Sequence, residues 1–266
     1  MVPARGFGVF LPPAGTPSSM RVRLLEATEN PEELICQSAR NDYMSDWVGD
    51  TPLDTAMASV DGDTTDEKLS NLIAQLLTRG HYGPFEHPSA TFAIEGVSRS
   101  CMAQLTRHRH ASFDVQSMRY VAFDDVDPAA VAEGELVVTP PSATDPDWVG
   151  RNQDAGDIDE ETMAEREAVF QASVRRAVED YQELLGLGMP PEDARFVLPI
   201  GTEVNVVITL NPRSLMHVAD MRAAADAQWE IRELTEQLLD AAAQWCPHTF
   251  EYYDAEMKHR KNRLAP

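Results

Sequence analysis

Strand-like and helical stretches alternate along this chain of 266 residues, which predicts an α/β protein of the α+β kind. Two observations carry the prediction. RVRLLEAT at 21–28, SATFAIE at 89–95, ELVVTPP at 135–141 and TEVNVVITL at 202–210 are strand-like runs, several of them rich in β-branched residues. Between and after them lie segments whose apolar residues recur with the helical period. With 43% hydrophobic residues, a chain of this length can bury a real core, as one large domain or two small ones.

In chain order, residues 1–19 are rich in Pro, Gly and Ser without periodicity and read as a flexible extension ahead of a natural start at Met20. The domain then runs over 20–266. RVRLLEAT supplies the first strand. From Asp66 to Gly80, Leu69, Leu72, Ile73, Leu76 and Leu77 recur at i, i+3, i+4, i+7 and i+8, and Gly80 sits where a left-handed helix end belongs. The turn HYGPFEHP leads into the strand SATFAIE, and SRSCMAQLTRH at 98–108 reads as a short helix. Residues 124–165 hold thirteen acids against the single base Arg151, so they read as a solvated acidic insertion containing the strand ELVVTPP. A helix over 161–185 places Phe170, Val174, Ala177, Val178, Tyr181 and Leu185 on one face. The GLG that follows is a helix end rather than a dinucleotide loop, and prolines lead a short helix in GLGMPPEDARFVLP. After the strand TEVNVVITL, Asn211 and Pro212 supply an N-cap and a first-turn proline, and two helices follow, ending before Pro247. No internal repeat is visible.

Composition narrows the function classes. Forty-four Asp and Glu against 22 Lys and Arg leave a formal charge of -22, which repels nucleic acid and anionic lipid over most of the surface. No run approaches the roughly 18 apolar residues of a membrane span. Cys36, Cys101 and Cys246 form no CxxC pair, which fits a reducing, cytoplasmic compartment. Only Lys68, Lys258 and Lys261 are lysines, so 19 of the 22 bases are arginine. Arginine's planar fork suits carboxylate and phosphate, so a chain poor in lysine but not in arginine points to functional cations. The acidic, lysine-poor composition also resembles that of proteins from salt-loving organisms and implies a halophilic archaeal source.

The densest candidate site is RHRHASFDVQSMRY at 107–120, a local basic cluster in an acidic chain. Forked donors at Arg107 and Arg109, with hydroxyls at Ser112 and Ser117, suit a nucleotide phosphate; the competing reading is a set of structural salt bridges. Arg107-His108-Arg109, seven residues, then Ser117 and Arg119-Tyr120 resembles the signature of flavin-dependent thymidylate synthases. GHYGPFEHP at 80–88, SRSC at 98–101, ARFVLP at 194–199, NPRSLMHVADMR at 211–222 and AQWEIR at 227–232 extend the resemblance over nearly everything from Met20 to Tyr253.

The resemblance implies an α/β fold with a mixed sheet flanked by helices, assembled as a homotetramer whose active sites are shared between subunits. It implies reductive methylation of dUMP to dTMP, with 5,10-methylenetetrahydrofolate as one-carbon donor and NADPH as reductant through bound FAD. By the same resemblance His81, Glu86, Arg107, His108, Arg109, Asn211, Arg213 and His217 meet FAD. Gln104, Arg107, Gln116, Ser117, Arg119, Arg195 and Arg222 meet dUMP, with Arg222 beside the uracil as the catalytic charge. Gly83 and Val115 depart from the family pattern, which moves the expected contacts there to the backbone and to Gln116.

Two other classes compete. His81, Glu86, His87, His108 and His110 could ligate a metal in a phosphohydrolase, and the arginines alone could serve a non-enzymatic nucleotide-binding module. No metal is expected under the favoured reading. Neither Cys101 nor Cys246 has the setting of a thiolate nucleophile, and Ser117 lacks a neighbouring base.

Overall fold

Four strands form the centre of the computed structural model, which describes residues 20–120, 123, 126–131, 135–145, 148 and 158–258. The 1–19 extension and much of the acidic insertion therefore lie outside the described residues. β1 (Arg21–Ala27), β2 (Ala90–Ser98), β3 (Ser112–Val115) and β4 (Glu203–Leu210) make one sheet in the order β1-β2-β4-β3. The α/β class holds, but the sheet expected to be mixed is antiparallel in all three pairings. Burial explains why. β1 and β4 alternate between buried and more exposed residues, the pattern of a sheet with one covered face, whereas parallel strands are buried on both.

α1 (Pro31–Asn41), α2 (Leu53–Ala56) and α3 (Thr65–Thr78) connect β1 to β2, and α4 (Arg99–Leu105) connects β2 to β3. α5 (Pro128–Val131), α6 (Pro141–Thr144), α7 (Glu160–Gly186) and α8 (Pro191–Ala194) precede β4; α9 (Pro212–Arg222), α10 (Trp229–Trp245) and α11 (Pro247–Tyr252) follow it. Val22, Phe92, Ile94, Val206 and Ile208 from the sheet meet Ile35 of α1, Ile73 of α3 and Leu234 of α10 in the main core. α1 was not read from the sequence, although Pro31 in its first turn and acids at Glu32 and Glu33 are start signals.

α3 is closed at both ends. Thr64 and Glu67 form a reciprocal capping box. At the other end Gly80 takes φ 72°, its N–H reaches the carbonyl of Leu77 and that of His81 reaches Leu76, so the helix stops where the turn 81–88 must begin.

Two readings of the insertion change. ELVVTPP is no strand: Val137 makes one isolated bridge to Thr202, because Leu136 adopts φ 68° on one side and Pro140-Pro141 end the extended run on the other. Nor is the described part simply solvated, since Val131 and Val137 bury against Val174 and Val178 of α7 in a second, smaller core. Those two α7 residues lie on the helical face predicted for them.

Candidate active site

The site is built on the loop that follows α4. Ser98 caps that helix, its Oγ accepting from the Cys101 N–H at 3.0 Å. Glu230 in the first turn of α10 clamps the cap in turn: its carboxylate accepts from the Ser98 N–H and the Ser98 Oγ–H, both at 2.6 Å. Burial pushes the Glu230 carboxyl pKa up, while the two Ser98 bonds oppose that shift. With its start anchored, α4 delivers Arg107, His108 and Arg109 onto the loop facing α9.

α9 supplies the opposite wall. Asn211 caps it, accepting from the Ser214 N–H at 2.8 Å, and donates through Nδ2 to the carbonyl of Glu86 at 3.2 Å. One side chain thus ties the helix start to the 81–88 turn. Arg213 is ion-paired with Glu86, and its guanidinium lies 6.0 Å from the centre of the Tyr82 ring. His217, one turn further on, presents a buried Nδ1 with no partner. At the last turn Arg222 donates from Nε to His108 Nε2 at 3.0 Å and from Nη2 to the carbonyl of Gln104 at 3.2 Å.

That bond fixes the state of His108. A nitrogen that accepts from a guanidinium carries no proton, so the imidazole is neutral. Burial first, then the charges of Arg222, His217 and Arg107, hold its pKa down to about 4. Its ring meets that of His217 edge-on, with centroids 5.8 Å apart. Burial and the nearby Arg107 also lower the pKa of Arg222. Two guanidiniums are thus held close together around a neutral imidazole, an arrangement that favours an anion.

Arg107, His108, Arg109, His217 and Arg222 line a cavity of about 370 Å³. A second, of about 520 Å³, is lined by Glu86, Asn211 and Arg213, and the two share His110, Ser214 and His217. Together they form a long groove between the loop and α9.

The remaining predicted residues gather elsewhere. Gln116 bridges to β4, its Oε1 accepting from the Asn205 N–H at 3.2 Å, and Ser117 Oγ accepts from the Arg119 N–H at 3.3 Å. Arg119 donates to the Glu192 carboxylate at 2.6 Å, and Arg195 donates to the Glu192 carbonyl at 2.9 Å. Two residues in this group were missed from the sequence, Glu192 and Arg99. Arg99 donates to the carbonyl of Gln116 at 3.2 Å and keeps a buried Nε without a partner. Its signal was its position: a cation in the first turn of a helix opposes the dipole and calls for another reason to be there. His81 lines neither cavity; it pairs with Asp42 at 3.3 Å and meets Tyr43 edge-on. Of the residues weighed as metal ligands, His81 pairs with Asp42, Glu86 with Arg213 and His108 with Arg222, and among the described residues no group of three or more His, Cys, Asp or Glu could hold a metal ion.

The family model described as thymidylate synthase complementing protein matches residues 23–248. The chain belongs to the flavin-dependent thymidylate synthase family. A flavin-dependent thymidylate synthase of Haloarcula marismortui is 69% identical over 247 residues, covering 93% of this chain and all of that protein. One from Geobacter sulfurreducens is 34% identical, covering 83% of this chain and 81% of that protein. Among solved structures, a UMP/dUMP methylase, PolB, from Streptomyces cacaoi bound with 5-Br dUMP superposes with a TM-score of 0.72 at 26% identity, over 94% of this chain and 98% of that one. As a member of the flavin-dependent thymidylate synthase family the chain is an enzyme, and the expected halophilic archaeal source agrees with the Haloarcula relative. Among the described residues no helix is long and apolar enough to cross a membrane.

Proposed function

We propose that this enzyme converts dUMP to dTMP by reductive methylation, taking its one-carbon unit from 5,10-methylenetetrahydrofolate and its reducing equivalents from NADPH through FAD. The observation that carries the reading is Arg222, held by neutral His108 beside Arg107 at one end of a groove. A fixed guanidinium there stabilises a uracil ring deprotonated at N3 and so enriches C5 in electron density.

The groove fits FAD. Arg107, Arg109 and Arg213 offer forked donors to two phosphates, Asn211 marks the start of α9, and His217 lines both parts of the groove. When bound, FAD supplies the two-electron relay that NADPH and the folate need. The chain's residues supply the rest: Arg107 touches both ligands, Gln104 and Arg222 face the uracil side, and Gln116, Ser117, Arg119 and Arg195 take the nucleotide's phosphate end. His108 acts mainly by fixing Arg222, and Glu86 by fixing Arg213. His81, in the 81–88 turn whose Glu86 lines the groove, is assigned to the flavin and folate region.

The nucleotide residues fall into two groups, and beside the second lie exposed apolar side chains: Leu187, Phe196 and Ile200 are 77%, 84% and 71% accessible. Such a surface next to charged ligand residues supports a homotetramer in which another copy closes each site. The three free cysteines, all buried, fit action in the cytoplasm.

The purified protein is expected to be yellow, to be bleached by NADPH without oxygen, and to form dTMP from dUMP and the folate. Arg222→Ala is expected to keep its flavin and lose dTMP formation. A colourless protein that cannot be reconstituted with FAD, or an Arg222→Ala variant with near-normal turnover, would overturn the reading.

A further inference from the structure

Glu192 stands among the arginines assigned to the nucleotide phosphate, and no step of the proposed reaction uses it. Its carboxylate accepts from Arg119 Nε at 2.6 Å while its main-chain carbonyl accepts from Arg195 Nε at 2.9 Å. Arg99 joins the group through Gln116, with its Nε buried and unpartnered. Arg195 is close enough to Arg99 to lower its pKa further, after burial. Three guanidiniums therefore converge, and among the described residues Glu192 is the one carboxylate ion-paired with any of them.

We propose that Glu192 is a specificity-determining residue, an internal counter-ion that occupies Arg119 against monovalent anions and yields it to a phosphomonoester dianion. The proposal rests on the dUMP reading above. A carboxylate carries one charge, whereas a phosphomonoester carries about -1.5 to -2 near neutral pH, with three acceptor oxygens. One phosphate can satisfy Arg119 with oxygens to spare, while chloride brings a single charge and no directed lone pairs to match the fork. The Arg119–Glu192 pair is about half exposed, at 53% and 45%, so it is weak enough to exchange. Exchange needs only side-chain rotation. The main chain of Glu192 stays fixed between Pro190 and Pro191 at the start of α8 and the carbonyl bond to Arg195. In a chain with a charge of -22, small anions are drawn mainly to its arginine clusters, and this one carries its own counter-ion.

The test is calorimetric titration of the flavin-loaded protein with dUMP and with deoxyuridine, in wild type and Glu192→Gln, at about 0.1 M and about 1 M KCl. Glutamine keeps the length and shape and removes the charge. The expected result at low KCl is dUMP binding at least about threefold tighter in Glu192→Gln, with deoxyuridine binding unchanged. On raising KCl, dUMP affinity is expected to fall more steeply in the variant than in wild type, because chloride then meets unguarded arginines. Unchanged or weaker dUMP binding at low salt, an equal chloride dependence, or an equal effect on deoxyuridine each overturns the proposal. Should Glu192→Gln fail to fold, Glu192→Ser is judged by the same readouts. A wild-type protein that forms dTMP while its variants miss these marks loses the Glu192 assignment alone; a wild-type protein that binds no dUMP loses both readings.

Discussion

His108 sits between two arginines that read from the sequence as forked phosphate donors, and its environment makes it a neutral acceptor. The group that fixes it, Arg222, lies 114 residues away in the chain, so the motif could show the histidine but not its protonation. The same holds for Arg99 and Glu192, whose roles depend on neighbours the chain brings together only by folding. Neutrality has a measurable consequence. The folded pKa of about 4 lies below the ordinary 6.5, so between those values the unfolded chain holds a proton that the folded chain refuses. Stability from this group is complete above about pH 7 and is lost as pH falls toward 4, for a total of about 3 kcal/mol. His108→Gln keeps an acceptor for Arg222 without the titration. Denaturant unfolding at about pH 7 and pH 5 should therefore show wild type losing roughly 1–2 kcal/mol more than the variant across that interval. Equal losses would mean that His108 takes up its proton in the folded protein as readily as in the unfolded chain, and the hydrogen bond from Arg222 would be misassigned.

At the level of elements, legibility followed local information. α3 could be read completely, since its apolar period and both of its ends lie within residues 64–81. β4 and the Asn211 cap of α9 were legible for the same reason. ELVVTPP misled because extended β-branched residues make a strand only with a partner along their length, and a positive φ at Leu136 leaves room for a single bridge. The start of α4 falls between these cases: the sequence shows a serine before a short helix but not the buried carboxylate that holds it. Ser98→Ala should therefore cost more than a cap alone. It removes the capping acceptor, worth about 1 kcal/mol, and leaves Glu230, 2% exposed, without the hydroxyl donor to its carboxylate, which adds roughly 1–3 kcal/mol. Thr64→Ala, at an exposed capping box, should cost only about 1 kcal/mol. Unfolding curves for the two variants provide the comparison, and equal costs would show that Glu230 does not anchor the loop bearing Arg107 and His108.

Across the whole molecule, 44 acids face 22 bases, and several of those bases are drawn inward. Arg107, Arg109, Arg213 and Arg222 line the groove, while Arg99, Arg119 and Arg195 gather near Glu192. The acids outnumber the bases by 22, so the folded chain holds its negative charges closer together than the unfolded chain does. That repulsion acts over the Debye length, about 10 Å at 0.1 M salt and about 3 Å at 1 M. The melting temperature should accordingly rise as KCl increases from about 0.1 M to about 2 M, by roughly 2–4 °C for each kcal/mol of repulsion removed. Screening also weakens the exposed pairs, Arg21–Glu95 and Arg119–Glu192 among them, but each is worth at most about 1 kcal/mol. A Glu192→Gln variant should show the same rise, because one surface carboxylate changes the total little, and this separates the global effect of salt from the local competition at the arginines. A melting temperature that stays flat or falls over this range would mean that the acids are already neutralised by the folded chain's own cations. The arginines of the groove would then belong to that neutralising set, and their claim to be reserved for phosphate would fail.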